Sequence, residues 1–419
     1  MPTFKSKTMI SRKKFLGLTS LTAAAVFTNS KSLIAAVPNA ETEVGKVKIR
    51  DVKVAPVIIK NYKTHLVKVE TDSGLYGIGE AFPKAEVEDD IYKVRNEILG
   101  EDPLNVEVLQ QKLIQNFISC GSFTGELCGA ISGIEIALWD LAGKILNIPV
   151  YVLLGGKYRD KILIYHDAES GKSSDPKSWV EAAHKSLSYG FKAIKLSLPR
   201  YEGEKWNRSL SIQNMKMWAK IIEAVRLSIG TDFPLAVDLH WKYNVIDVLS
   251  FTRMIEDYNL WFLEDPLPVG NEDAFVYLSK EAKVPILTGE NLYTRYEYRP
   301  YIEKQACNYI HPDPQKCGGL LETKKISDWA DIYGISMFCH NGCTPVGTTA
   351  SAHACSSIKN FIALESDSVD VPYWQNFIQR DAPFFKDGYL ELSNKPGLGI
   401  ELNEEVCRKH LAPDGKFFE

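Results

Sequence analysis

The sequence predicts an α/β fold in which an α+β section, residues 47–158, precedes a β/α barrel over residues 161–385. Three observations carry this. Alternating β-branched runs between Val47 and Glu80 give way to helical periodicity. From Lys161 onward a short apolar strand, a polar loop and an amphipathic stretch recur. Polar, chemistry-bearing residues close those strands at intervals of about one β/α unit.

Residues 1–40 read as an export signal and linker. Ser11-Arg12-Lys13-Lys14-Phe15-Leu16-Gly17 is basic, and an Ala- and Thr-rich apolar run follows to Phe27. The pattern is similar to a twin-arginine signal with Lys13 in place of the second arginine, which predicts a periplasmic destination. The run is too short for a stable membrane anchor. Residues 1–36 hold six Lys or Arg and no acid, so losing them would leave a more acidic chain than the formal −4 of the whole. With that charge and no basic stripe, nucleic acid is not an expected partner. The 419 residues, 45% hydrophobic and 24% charged, suit two domains or one barrel with a large addition. Eight scattered cysteines lack paired spacing, which argues against a zinc cluster. Cys339 and Cys343 read as buried thiols.

VKIRDVKVAPVIIK and THLVKVETDSGLYGIGEA read as antiparallel strands, with Gly74, Gly77 and Gly79 serving turns and bulges. Residues 88–147 are helical in period. Ile131, Ile134, Ala137, Leu138, Leu141 and Ile145 recur on one face. The barrel strands are predicted at 162–168, 193–198, 234–240, 260–266, 285–291, 308–314, 335–341 and 361–366. Strand number alone does not separate a barrel from a doubly wound sheet. The last stretch, 386–419, reads as short strands and turns that return to the first domain.

Lys195, Asp238 with His240, Glu264, Glu290, Asp313, His340 and Glu365 close these strands. From Asp238 onward the steps are 26, 26, 23, 27 and 25 residues. A single strand-end acid is usually a helix cap, but seven positions in phase converge on one barrel mouth. Asp238, Glu264 and Glu290 form an oxygen-only ligand set suited to Mg2+. A cation there can hold a substrate carboxylate and stabilise the enediolate left when the α-proton is removed. His340 with Asp313 reads as a base and its orienter. Lys195 lies across the ring. His240, two residues past Asp238 on the same strand, points the same way and reads as a proton donor to a departing hydroxyl. Glu365 is placed to hydrogen-bond the enediolate.

These residues, with TDSGLYGIGEA, GAISGIEIALWDLAGKILNIPVYVLLGG, VDLH, LEDP, GEN, PDPQKCGG and PGLGIEL, resemble the enolase superfamily, mandelate racemase subgroup. Within it the chain is most similar to the galactonate dehydratase-type enzymes. The resemblance covers nearly all of the chain after the leader. It implies a (β/α)7β modified TIM barrel, an N-terminal α+β capping domain completed by the C-terminal segment, and a homo-oligomer. It also implies Mg2+ on Asp238, Glu264 and Glu290, a His340–Asp313 base dyad, His240 as the acid expelling the 3-hydroxyl, and Glu365 steadying the enediolate. The product would be a 2-keto-3-deoxy sugar acid.

One departure from the subgroup matters. Many members carry Lys-x-Lys on the second strand, whereas here the sequence is Lys195-Leu196-Ser197. A serine hydroxyl is too weak a base for a two-base racemisation, so Lys195 becomes an electrostatic group and dehydration gains weight. Epimerisation or cycloisomerisation of a sugar acid or its lactone is the alternative. A non-catalytic exported sugar-acid binding protein is the reading from another class. Specificity is expected from residues 59–64 and 80–88 and from Trp241, Lys242 and Tyr243.

Overall fold

The computed structural model describes residues 45–81, 87–168, 171, 174–198, 208–380 and 382–419. The export signal expected at 1–40, and residues 82–86 of one specificity loop, lie outside them. Strands β1 (Ile49–Ile59), β2 (Tyr62–Thr71) and β3 (Tyr76–Ala81) form an antiparallel meander in that order. Helices α1 (Val87–Val94), α2 (Val106–Asn116) and α3 (Gly125–Leu146) follow, with the short α4 (Val150–Leu153) after them.

Helix α3 buries Ile131, Ile134, Ala137, Leu138 and Leu141 against Val52, Val54, Val67 and Val69 of the sheet. The helix lies unusually close to β3. A Cβ on Gly77 would collide with the carbonyl oxygen of Ala137, and one on Gly79 with that of Gly133. Of the three glycines expected in turns, only Gly74 is in one, at φ 86°. Gly77 and Gly79 are interior strand positions kept bare so that a helix backbone can pack on them.

Eight parallel strands then close a barrel: β4 (Lys161–Ala168), β5 (Ile194–Ser197), β6 (Leu235–Asp238), β7 (Leu263–Glu264), β8 (Ile286–Thr288), β9 (Tyr309–Ile310), β10 (Ser336–Cys339) and β11 (Phe361–Ser366). Pairing of β11 with β4 completes the ring. Seven helices make the crossovers, α5 (Pro176–Ser188), α6 (Ile212–Ile229), α7 (Val245–Ile255), α8 (Glu272–Glu281), α9 (Thr294–Glu303), α10 (Leu320–Ile332) and α11 (Pro345–Ser356). The barrel is therefore (β/α)7β, with all eight strands where the apolar runs predicted them. Strand β12 (Ile378–Gln379) pairs with β14 (Glu401–Leu402), and helix α12 (Glu404–Lys409) follows. Strand β13 (Tyr389–Glu391) adds antiparallel to β4 of the barrel. Beyond it the chain runs back along the first section: Leu398 N–H donates to Asp140 at 2.7 Å, and Ala412 N–H to the Pro56 carbonyl at 3.0 Å.

The barrel interior is a plug of side chains. Tyr165, Ala193, Ala236, Phe262, Leu287, Phe338 and Ala363 are all buried in one cluster. Alternating large aromatics with alanines lets the ring fill without a void. Because strand side chains alternate with period two, residues two positions further along face the same lumen one layer higher. Those residues are Asp167, Lys195, Asp238, Glu264, Gly289, His340 and Glu365. The apolar layer thus sets the floor of the site. All eight cysteines are free thiols, and all but Cys120 are buried, Cys339 and Cys343 among them. Among the described residues no helix is long and apolar enough to cross a membrane.

Candidate active site

Asp238 and Glu264 are register partners on adjacent strands β6 and β7. Glu290 and Asp313 lie just past the ends of β8 and β9, and His340 one residue past β10. The His340 imidazole is held at both ends, with Nδ1 2.7 Å from Asp313 Oδ2 and Nε2 3.0 Å from Glu290 Oε2. Asp313 is itself oriented, its Oδ1 accepting the Gln315 N–H at 2.8 Å. Burial alone would lower the His340 pKa, but Glu290 and Asp313 outweigh it and hold it well above the ordinary value.

Lys195 is fully buried at the centre of the opposite wall. Its Nζ lies 3.1 Å from Glu264 Oε1, 2.5 Å from Glu365 Oε1 and 3.9 Å from Asp238 Oδ2. Burial works against its charge, yet Glu264 and Glu365 raise its pKa well above the usual lysine value. It is an ammonium, not a base. Glu365, expected beside the enediolate, lies against several groups of the barrel floor. Besides Lys195, it accepts from Tyr165 Oη at 2.9 Å and faces His311 Nε2 at 3.2 Å. Burial would raise its pKa, but Lys195 and His311 hold it well below the carboxylate range. Both oxygens thus have partners within the chain. Lys195→Met is expected to leave two buried carboxylates unpaired and to cost about 3–5 kcal/mol in urea unfolding of the metal-free protein. An unchanged midpoint would show that the ammonium holds nothing together.

His240 lies beside Asp238, Nε2 to Oδ2 at 3.2 Å, while its own N–H donates to Asp238 Oδ1 at 2.7 Å. The reason is not the strand alternation expected from sequence. Strand β6 ends at Asp238, and His240 and Trp241 are left-handed at φ 54° and 57°. A tight turn, not the strand, aims the imidazole at the mouth, and such backbone strain clusters where function requires it.

Two buried triplets bring possible ligand atoms within 4.8 Å of one another among the described residues: Glu264, Asp265 and Glu290, and Glu264, His311 and Glu365. Asp238, expected as the third ligand, is in neither triplet; its oxygens meet His240, and Oδ2 lies 3.9 Å from Lys195 Nζ. Asp265 was not singled out by sequence. At φ 40° it turns back inward, and Thr288 Oγ1 donates to its Oδ1 at 2.5 Å. Burial, then Glu290 and Glu264, push its pKa up to about 8. Asp265 Oδ2 is buried without a hydrogen bond, and Glu264 Oε2 meets only the Lys195 ammonium, at 3.1 Å. Oxygen donors left unsatisfied in a carboxylate cluster fit a hard divalent cation.

Two further inward residues escaped the sequence reading, although the period-two register carries both. His311 Nδ1 lies 3.2 Å from Glu264 Oε1. Burial would lower its pKa, but Glu264 and Glu365 raise it to about 9. Asp167 accepts from Ser197 Oγ at 3.2 Å, and burial pushes its pKa up to about 7.

Comparison with known proteins gives concordant results. The N-terminal domain model of mandelate racemase and muconate lactonizing enzyme matches residues 40–155, and the enolase C-terminal domain-like model matches residues 178–406. A D-xylonate dehydratase of Haloferax volcanii is 35% identical, covering 88% of this chain and 92% of its own. A D-galactonate dehydratase of Pectobacterium atrosepticum is 28% identical over 83% of this chain and 91% of its own. The crystal structure of a mandelate racemase/muconate lactonizing enzyme-like protein from Rubrobacter xylanophilus superposes with a TM-score of 0.86. It shows 34% identity and covers 89% of this chain and 99% of that one.

Proposed function

The chain belongs to the mandelate racemase and muconate lactonizing enzyme family of the enolase superfamily, and from that premise we propose that it dehydrates a five- or six-carbon aldonate to the 2-keto-3-deoxy acid. The observation that carries the reading is the pair of imidazoles at one carboxylate pole. His340 is backed by Asp313, and His240 stands beside Asp238. One group can take a proton while the other gives one.

Glu264 and Glu290, with Asp238 or Asp265, would hold Mg2+. When bound, it supplies Lewis-acid stabilisation of the charge that develops on the substrate carboxylate. With Glu290 committed to the cation and no longer facing the imidazole, the Nε2 of His340 would be free to accept the C2 proton, and the Asp313 carboxylate stabilises the imidazolium that forms. His240 donates a proton to the C3 hydroxyl as the C3–O bond breaks, so that water leaves and an enol remains. The enol then tautomerises to the ketone. Lys195, held charged between Glu264 and Glu365, adds positive potential below the substrate carboxylate.

The test is incubation of the full chain with Mg2+ and a panel of C5 and C6 aldonates in D2O, followed by proton NMR. Dehydration gives a new C3 methylene bearing a solvent deuteron. An intact skeleton with an exchanged C2 proton would replace this reading with epimerisation. His240→Asn is expected to lower dehydration by about 10² to 10⁴ while C2 exchange persists. Normal dehydration in that variant would remove His240 from its role.

A further inference from the structure

The short loops behind the His340–Asp313 pair are terminated by side chains from the N-terminal section, far away in sequence. Helix α10 begins seven residues after Asp313. Its N-cap is Gly319, which has no side chain to satisfy the first N–H groups. Glu135 of α3 does so, with Oε2 accepting from Leu320 N–H at 2.8 Å and Oε1 from Leu321 N–H at 3.1 Å. Trp139 Nε1 steadies Oε1 at 2.7 Å. Gly319 must be bare, because a Cβ there would collide with the Glu135 carboxylate. Ser132 Oγ accepts the Gly318 N–H at 2.9 Å, and Gln110 Nε2 donates to the Gly318 carbonyl at 2.9 Å.

Helix α11, beginning five residues after His340, is held in the same manner. Glu80 of β3 accepts from Thr344 N–H at 2.9 Å, Thr344 Oγ1 at 2.5 Å and Gly347 N–H at 2.8 Å, with Thr64 Oγ1 at 2.7 Å behind it. Gln315 Nε2 ties the two loops together, donating to the Gly347 carbonyl and to Ser351 Oγ, each at 2.9 Å. The chain from cap to chemistry is continuous. Glu135 fixes the start of α10, the 313–319 turn fixes Asp313 Oδ1 through Gln315 N–H, and the other Asp313 oxygen meets His340 Nδ1.

We propose that Glu135 and Glu80 are positioning residues for the His340–Asp313 pair, so that seating of the cap sets the alignment of the base. Both carboxylates are buried and face donors only, three of them backbone or indole N–H groups at Glu135. Each also meets the positive end of a helix dipole. An amide in place of Glu135 would turn an NH2 toward at least one of those donors and pull the α10 start away from the cap. The inference rests on the proposed role of His340 as base, but part of its test does not.

The test uses the full chain labelled with 15N-histidine. The Nδ1–H of His340 in its short bond to Asp313 gives a low-field proton signal, assigned by its absence in His340→Asn. In Glu135→Gln the signal is expected to move upfield or broaden. With a turned-over aldonate, kcat should fall between about tenfold and a hundredfold at a KM within about twofold. Glu101→Gln, an exposed ion pair of the same section with Lys112, should move neither. A folded Glu135→Gln with the signal and kcat of the parent overturns the proposal. If Glu135→Gln does not fold, Ser132→Ala removes the acceptor for Gly318 N–H, together with a bond to the Cys128 carbonyl of its own helix, and an unmoved signal there overturns it equally. Absence of turnover on every aldonate would sink the functional reading alone, since the signal needs no substrate.

Discussion

Replacing His340 by asparagine is expected to abolish both turnover and exchange of the substrate α-proton with D2O, a loss of about 10² to 10⁴ or beyond detection. Asparagine can still hydrogen-bond Asp313 and roughly fills the site, so the loss reports the missing base and not a collapsed mouth. The two readouts matter together. Dehydration can fail for lack of an acid, but exchange fails only when the C2 proton is no longer taken. Exchange continuing at the parent rate would show that another group is the base. Lys195 is an unsuitable substitute because Glu264 and Glu365 keep it charged.

The second large effect is expected from chelation. Protein stripped with EDTA should lose turnover and regain it with Mg2+, because the α-proton of a carboxylate is too weakly acidic for an unaided imidazole. The cation should also raise the melting temperature, since a ligand at a hundredfold excess over its Kd adds about 2.7 kcal/mol to folding. The physical source is the crowd of Glu264, Asp265 and Glu290, in which Asp265 Oδ2 is buried with no hydrogen-bond donor. Glu264→Gln should remove most of the stabilisation. Full activity after exhaustive chelation, with no melting shift on adding Mg2+, would exclude a metal at this pole.

Much of the architecture was legible because it depends on local rules. Eight apolar runs at regular spacing gave eight strands, and the period of two within each placed the inward residues. The same period held His311 two residues before Asp313, and Asp167 two residues after Tyr165 of the apolar floor. Neither stood out, because an inward polar residue gains meaning only when its neighbours on other strands are known. His311 matters through Glu264 and Glu365, which come from β7 and β11. Asp265 was overlooked for a different reason. Beside a strand-end glutamate it reads as an outward residue, and only a backbone at φ 40° turns it inward.

By itself, then, the sequence determined the order of elements, the barrel and the ring of groups around its mouth, since these follow from side-chain periodicity and spacing. The tertiary structure alone decided how the groups are shared. It turned Asp238 toward His240, committed both Glu365 oxygens to Lys195, Tyr165 and His311, and left Gly77 and Gly79 bare beneath a helix. It also joined Glu135 to Leu320 and Glu80 to Thr344, across 185 and 264 residues. The physical reason is the same in each case. A buried carboxylate is defined by the donors that meet it, and those donors are mostly backbone N–H groups or side chains of distant segments, which no local pattern announces.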